Sequence, residues 1–308
     1  MDERALLKEI EPVAETLLNR HQGVAKEWFP HEMVPFSRGK DFEPGKPWSE
    51  SDSDFGSKSN EMSEAVRGSL FVNLLTEDNL PYYFRDINQL FGNDGVYGEW
   101  GRNWTAEEGR HSIVIRDYLT VTRAIDPISL ERGRMQQVRG GQVPAPLDLY
   151  EALAYLSMQE LATRIAHRNT GKMINDECGE AIMSRVGNDE NLHYLFYRDL
   201  ATAAIAVDPS NMVIGIERAV RTFAMPGTGI PDFERLSREI ARVGIYDLLI
   251  HHDQILQPVV LRHWKLEHLT NLTDEAQKAR DALFKRIDRI GKVGAKDRKS
   301  TRLNSSHR

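Results

Sequence analysis

Apolar residues along most of this chain recur at every third or fourth position, which is the spacing of one helix face. Leu70, Leu74, Leu80 and Phe84 form one such series. Alternation of apolar and polar residues, the pattern of a half-buried strand, is almost absent, so we expect no sheet. The pattern predicts an all-α bundle with a helix at each end of the chain and further helices at about 61–90, 104–123, 147–170, 176–207, 210–224 and 232–263.

Proline and glycine interrupt this pattern in few places. Their main clusters, where we expect loops, are 30–58, 92–101, 139–146 and 225–231. A length of 308 residues suits one large domain or two medium ones, and we assign 1–294 to a single helical domain. The remaining segment, 295–308, is basic and rich in Ser, with little that could pack. We predict that it is disordered or not native to the protein.

Composition and charge exclude several classes of protein. The chain has 40 Lys and Arg against 46 Asp and Glu, a net charge of −6, whereas a general nucleic-acid binder needs a basic excess. No run approaches the roughly 20 apolar residues of a membrane helix, and the first residues lack the apolar core of a secretory signal. The single cysteine, Cys178, precludes an intramolecular disulfide and is typical of a reducing compartment. We therefore expect a cytoplasmic protein that does not span a membrane.

Two segments carry the pattern Glu-x-x-His. One contains Glu108 and His111, and the other contains Glu190 and His193. A spacing of three residues places a carboxylate and an imidazole on the same helix face, one turn apart, where both can bind one metal ion. One such pair means little, because Glu and His are common in helices. Two pairs justify a search for further ligands.

Each pair has a lone glutamate at nearly the same distance before it. Glu77 precedes Glu108 by 31 residues, and Glu160 precedes Glu190 by 30. Glu77 shares its face with Leu74, although glutamate is almost never fully buried unless it is paired or bound to a metal. Four helices that contribute four Glu and two His are typical of ferritin-like di-iron carboxylate proteins. Carboxylate and imidazole ligands suit iron or manganese.

Ordinary structural roles compete with this interpretation. Thr105 and Glu108 fit a capping box, in which Glu108 would bond the backbone at a helix start. Either Glu-x-x-His pair alone is more typical of a helix surface than of a metal site. The nearly equal spacing of both sets favours the metal centre, because chance would have to place six residues correctly.

Four segments resemble motifs of the soluble acyl-acyl-carrier-protein desaturases, most closely the actinobacterial branch. Trp104-Thr105-Ala106-Glu107-Glu108-x-Arg110-His111 resembles the family's W-T-A-E-E-N-R-H. The other three are Thr76-Glu77-Asp78-x-Leu80-Pro81-x-Tyr83, Gln159-Glu160-x-x-Thr163 with the following His167-Arg168-Asn169-Thr170, and Asp189-Glu190-x-x-His193. The resemblance covers about 10–290. It implies a ferritin-like bundle with a four-helix di-iron core and flanking helices, and an O₂-dependent enzyme that inserts a cis double bond into a carrier-bound fatty acyl chain.

The resemblance also implies a role for each site residue. One iron would be held by Glu77, Glu108 and His111, and the other by Glu160, Glu190 and His193, with Glu108 and Glu190 as bridges. Thr163 would lie beside the oxygen site and relay a proton, or alternatively bond only its own helix carbonyl at i−4. Asp189 would form a hydrogen bond with His111. Trp28 would extend this series of contacts from His111 toward the surface, as a route for electrons.

Partners follow from the same resemblance. The substrate carrier would be an acyl carrier protein, which is acidic, so we expect a basic dock; Arg218 and Arg221 are candidates. With one cysteine the chain has no Cys₄ site for electron storage, which implies a ferredoxin-type donor. Family members of this kind are expected to be homodimers.

Three other functions remain open from the sequence. An iron-storage protein would be shorter and would lack the motifs around Thr163 and Trp104. A ribonucleotide reductase radical subunit would have Asp in place of Glu77 and a tyrosine where Ile115 stands. A metal-stabilised protein that binds acyl carrier protein without catalysis would keep the helices and show no turnover.

Overall fold

The structure is a computed structural model that describes residues 1–57, 60–141, 143, 145–225, 227, 230 and 232–305, with 301–305 as backbone only. Within these residues almost all regular structure is helical. The α-helices are, in chain order, α1 (Glu3–Val24), α2 (Pro30–Met33), α3 (Glu64–Glu77), α4 (Leu80–Phe91), α5 (Gly95–Thr122), α6 (Pro127–Gly140), α7 (Leu149–Met173), α8 (Glu177–Val207), α9 (Pro209–Thr222), α10 (Phe233–Val243), α11 (Leu248–His251) and α12 (Asp274–Ser305).

Shorter elements complete the chain. A π-helix spans His252–His263, and 3₁₀ turns span Phe36–Arg38, Glu50–Asp52 and Leu266–His268. Two strands of two residues each, β1 (Gly56–Ser57) and β2 (Asn60–Glu61), pair antiparallel. This ribbon is too small to form a core, and the prediction of an all-α fold is confirmed.

Four helices form the centre of the molecule. α3 packs on α5, α5 on α8, α8 along α7, and α7 on α3, which closes a four-helix ring. Around it, α1 packs on α8, while α9 and α12 pack on each other and α9 on α7. Long inward faces hold the ring together, because side chains such as Leu70, Leu153 and Met183 are at most 1% exposed. The helices that carry the four predicted motifs are therefore neighbours.

Two helix boundaries near the motifs differ from the prediction. The helix predicted at 61–90 is two helices, because α3 ends at Glu77 and α4 begins at Leu80, with Pro81 in its first turn. Proline lacks the N–H that a continuous helix would need there, whereas the first turn tolerates it. The helix predicted from 104 begins at Gly95, so Thr105 lies inside α5 and donates to the carbonyl of Gly101 (2.6 Å). A capping box at Glu108 is therefore wrong.

Two further segments differ from the prediction. The sequence analysis missed α6, which is polar on most of its surface and buries Leu130, Gly133 and Gln137; Arg134 stabilises it through Glu131 (3.0 Å). The helix predicted at 232–263 is interrupted after α10, where Gly244 has a φ of +81°. Glycine adopts this left-handed conformation without strain, which ends the helix.

The C-terminal segment is more ordered than predicted. α12 continues to Ser305, so 295–305 is helical, and Arg298 bonds Asp247 (2.6 Å). The predicted disorder of 295–308 is wrong for this part, while residues 306–308 lie outside the described residues. Whether the segment is native, and the single-domain assignment of 1–294, stay predictions. None of the described helices is long and apolar enough to cross a membrane.

Candidate metal centre

The four central helices bring the six predicted ligands to one place. α3 contributes Glu77 at its last turn, α7 contributes Glu160, and α5 and α8 each contribute one Glu-x-x-His pair. All six residues are buried, with at most 6% of their surface exposed. Their inward direction follows from the helical spacing that the sequence analysis used.

The ligand atoms form two overlapping groups. Within each group they lie within 4.8 Å of one another; the groups are Glu77, Glu108, His111 and Glu190, and Glu108, Glu160, Glu190 and His193. Glu108 and Glu190 belong to both groups, which is the arrangement of carboxylates that bridge two metal ions. Six buried oxygen and nitrogen donors without a thiolate fit iron or manganese.

Burial and mutual repulsion act on the carboxylates. Burial raises the pKa of Glu160 well above its ordinary value, and the charge of Glu190 adds to this effect. Burial acts in the same direction on Glu77, but the neighbouring imidazoles of His111 and His167 outweigh it and lower the pKa of Glu77. The buried carboxylates therefore repel one another at close range, and cations bound between them would relieve this repulsion.

Both ligand histidines turn Nδ1 inward. Nδ1 of His111 lies 3.2 Å from Glu108 Oε2, and Nδ1 of His193 lies 2.9 Å from Glu108 Oε1. Burial would lower the pKa of each imidazole, but the surrounding carboxylates raise it well above the ordinary value. The carboxylates that raise these pKa values are the same groups that would bind a metal, and a metal would bind Nδ1 of each ring only in its deprotonated form.

Asp189 lies behind His111 on the outer side. Its Oδ2 is 3.4 Å from Nε2 of His111 and accepts a hydrogen bond from Nε1 of Trp28 (2.7 Å). The Trp28 ring is buried and lies 5.0 Å from the guanidinium of Arg110. The structure thus brings Asp189 and Trp28 together with His111 as the resemblance implied. A role of Trp28, Asp189 and His111 in electron transfer stays a prediction.

Glu107 lies behind His193 in the same way, and the sequence analysis did not assign it. Its Oε2 is 2.8 Å from Nε2 of His193, and both its oxygens are 3.1 Å from Nε2 of His21 on α1. Burial would raise the pKa of Glu107, but the hydrogen bonds with the two histidines lower it strongly. A signal was present, because an acidic residue precedes the Glu of each Glu-x-x-His pair. Each acidic residue contacts the ligand histidine of the other helix: Glu107 on α5 contacts His193 on α8, and Asp189 on α8 contacts His111 on α5.

Thr163 contacts both its own helix and the cluster. Its Oγ1 lies 3.2 Å from the carbonyl of Gln159, 3.0 Å from that of Glu160 and 2.8 Å from Oε2 of Glu190. A hydroxyl donates one proton, so these three oxygens compete for it. The geometry permits both the backbone-bonded role and a proton held at Glu190.

A cavity opens from the cluster toward α4. Together with the open space at its mouth, the cavity encloses about 600 Å³. Its wall contains carboxylates of the cluster and apolar side chains, among them Ile87, Leu90, Tyr155 and Leu156. An apolar chain that enters the cavity would therefore reach the candidate metal centre.

The candidate docking arginines are both engaged with nearby carboxylates. Arg218 pairs with Asp148 and lies 3.5 Å from Glu151. Arg221 pairs with Glu217 at 3.2 Å, and 46% of its side chain is exposed. Neither lies among the six ligands, and their role in docking stays a prediction.

The chain is similar to several known proteins. The sequence profile of the fatty acid desaturase family matches residues 2–308. The chain is 41% identical over 288 residues to a Mycobacterium tuberculosis protein named as an acyl-[acyl-carrier-protein] desaturase, DesA1, covering 90% of this chain and 83% of that one. It is 28% identical to stearoyl-[acyl-carrier-protein] 9-desaturase 6 of Arabidopsis thaliana, covering 91% and 75%. A crystal structure of M. tuberculosis DesA2 superposes with a TM-score of 0.69 at 23% identity, over 89% of this chain and 99% of that one.

Proposed function

The chain belongs to the fatty acid desaturase family and is an oxidoreductase, and from that premise we propose that it desaturates a fatty acyl chain carried by acyl carrier protein, with O₂ as the oxidant. The observation that carries this proposal is the buried cluster of four glutamates and two histidines at the end of an apolar cavity. The relatives named above are acyl-[acyl-carrier-protein] desaturases, which supports the same substrate class.

We propose that the cluster holds two iron ions, with manganese as the alternative. Glu77, Glu108 and His111 would hold one ion, and Glu160, Glu190 and His193 the other, with Glu108 and Glu190 shared. When bound, the iron would activate O₂ so that it can take hydrogen from an unactivated CH₂, a chemistry that no side chain can supply.

The side chains around the centre would bind the alkyl chain, orient the ligand histidines and exclude water. The cavity wall would bury the alkyl chain, at about 0.8 kcal/mol for each CH₂ removed from water, and would exclude water from the site. Asp189 and Glu107 accept from Nε2 of the two ligand histidines and so fix Nδ1 toward the metals. Thr163 would hold a proton at Oγ1, 2.8 Å from Glu190 Oε2, beside the place where O₂ is reduced.

Electrons must come from outside, because one turnover takes two electrons and two protons in addition to the two hydrogens of the substrate to reduce O₂ to two waters. We propose a ferredoxin-type donor and a path through Trp28, Asp189 and His111, supported by their contacts at 2.7 and 3.4 Å. For acyl carrier protein we retain the basic pair Arg218 and Arg221 as the candidate dock.

We also propose a homodimer. α6 leaves Ile128, Met135 and Val138 exposed. These residues are spaced seven and three apart, so they lie on neighbouring parts of one helix face. A second copy of the chain could cover this face. A cytoplasmic location stays a prediction.

The test is aerobic incubation of the iron-loaded protein with acyl carrier proteins that bear saturated chains, a ferredoxin and a reductant. Mass spectrometry should find a product lighter by two hydrogens, with the double bond in the cis form. Glu108→Ala, which removes a shared ligand, and omission of O₂ should each abolish it. An iron-loaded protein that binds the substrate but forms no unsaturated product would indicate the non-catalytic binding protein instead.

A further inference from the structure

A third histidine, His167, lies at the candidate metal centre without being one of the six ligands. It lies on the inward face of α7, seven residues after Glu160, which is about 10.5 Å along a helix. Its side chain is 1% exposed. α7 therefore contributes Glu160 to one ligand group and carries His167 to the other.

His167 contacts Glu77. Its Nε2 lies 3.1 Å from Glu77 Oε1, which is hydrogen-bond distance, and 3.6 Å from Glu190 Oε1, which is beyond it. An ionised carboxylate can only accept, so Nε2 carries the hydrogen and donates it to Glu77. Nδ1 of His167 is buried and has no hydrogen-bond partner among the described residues. The ring is thus held on its polar side by the bond to Glu77 alone.

The equivalent carboxylate of the other group has a donor of its own. Nε1 of Trp104 donates to Glu160 Oε1 at 3.2 Å. In both carboxylates the bound oxygen is Oε1, and Oε2 is directed to the ligand histidine of the same group. Glu77 Oε2 lies 3.8 Å from Nδ1 of His111, and Glu160 Oε2 lies 3.7 Å from Nδ1 of His193. Each carboxylate therefore accepts one N–H hydrogen bond through Oε1, and its Oε2 lies where it could bind a metal together with the ligand histidine.

We propose that His167 is a positioning residue that fixes the Glu77 carboxylate and thereby stabilises one of the two metal positions, the one formed with His111. The inference rests on the proposed metal centre and concerns only this chain's own side chains. His167 does not contact the group of Glu160 and His193 at hydrogen-bond distance, so its loss should affect the two positions unequally. A histidine that merely fills the core would affect neither position selectively.

The experiment is a titration of the metal-free protein with cobalt(II) under a competing chelator, read by visible absorption. We expect two equivalents in the wild type. His167→Leu should retain one equivalent and bind the other about 10–100-fold more weakly, the usual loss when a group behind a metal ligand is removed. His167→Gln keeps an N–H donor and should recover most of that affinity.

Thr170→Val is the matched control. Thr170 lies one turn beyond His167 on α7, is fully buried, and bonds Ala166 and Ser69, both at 2.7 Å, rather than a candidate ligand. Its loss should lower the melting temperature and leave both cobalt equivalents at the wild-type affinity.

Two results would overturn the proposal. One is His167→Leu binding both equivalents as the wild type does, and the other is an equal loss of both at an unchanged melting temperature. If His167→Leu does not fold, hydrogen exchange measured by NMR on wild-type protein labelled with ¹⁵N-histidine tests the same bond. The Nε2 proton of His167 should be protected from exchange in the wild type and should lose this protection in Glu77→Ala. An unprotected proton in the wild type would refute the bond. A wild type that binds fewer than two equivalents would instead contradict the metal centre itself.

Discussion

Replacing Thr163 by valine removes one hydroxyl from the centre while it keeps the shape of the side chain. The shortest contact of that hydroxyl is to Glu190 Oε2 at 2.8 Å, and the two backbone carbonyls lie farther away. Hydrogen bonds to charged groups are worth about 1.5–3 kcal/mol. Because Thr163→Val leaves Glu190 buried without this donor, we expect the free energy of unfolding of the metal-free protein to fall by about that amount.

The effect on catalysis should be larger than the effect on binding. Iron binding should stay near the wild-type level, because no ligand is removed. Double-bond formation should fall at least about tenfold, as expected when a positioned proton-transfer group is lost. Part of the reduced oxygen should then be released as peroxide or water without product.

The assay measures three quantities on the same preparation: iron per chain, product by mass spectrometry, and electrons consumed per double bond. Thr163→Ser is the control, because it keeps the hydroxyl and loses only a methyl group; it should retain most of the activity. If Thr163→Val desaturates at the wild-type rate with unchanged coupling of electrons to product, Thr163 is a packing residue and the reasoning is refuted.

Three further predictions concern metal content, pH and assembly. Glu108→Ala and His193→Ala should each lose at least one of two iron ions, measured by metal analysis; wild-type protein with fewer than about one iron per chain would contradict the ligand assignment. The carboxylates Glu77 and Glu190 raise the pKa of His167 to about 9 against its own burial. The stability this provides is complete below about pH 6.5, the unfolded value, and is lost as pH rises through about 9. Urea unfolding of the metal-free protein should therefore show a decrease in stability between these pH values that is smaller in His167→Leu than in the wild type. An equal decrease in both would contradict the His167 environment. Sedimentation at micromolar concentration should give a dimer mass, and a strictly monomeric mass would exclude the proposed homodimer.

Local patterns predicted the core of the site because its ligands follow helix geometry. The spacing in Glu108-x-x-His111 and Glu190-x-x-His193 fixes which face of α5 and α8 they occupy, whatever the rest of the chain does. The lone Glu77 and Glu160 could be paired with them because their distances in sequence repeat. The helical architecture followed from the same periodicity.

Contacts between distant segments could not be predicted in this way. Glu107 and His21 are 86 residues apart, and His167 and Glu77 are 90 apart. No sequence spacing predicts that the residues of either pair are in contact, because each contact depends on how two helices pack against each other. α6 was missed for a different reason, because its apolar residues lie on both faces: Leu130 is buried, whereas Ile128, Met135 and Val138 are exposed, so no single apolar face identifies the helix.

The centre joins parts of the chain that are synthesised far apart in time. His21 and Trp28 bond Glu107 and Asp189, so the contacts behind the ligand histidines are complete only when the first helix and Trp28 meet α5 and α8. Trp28 and Asp189 are 161 residues apart. At about 5–20 residues per second a ribosome needs on the order of ten seconds or more to make that interval. During this time the ligands on α3, α5 and α7 have been synthesised, but the ligand set still lacks Glu190 and His193. A metal can therefore be bound tightly only after α8 has emerged from the ribosome.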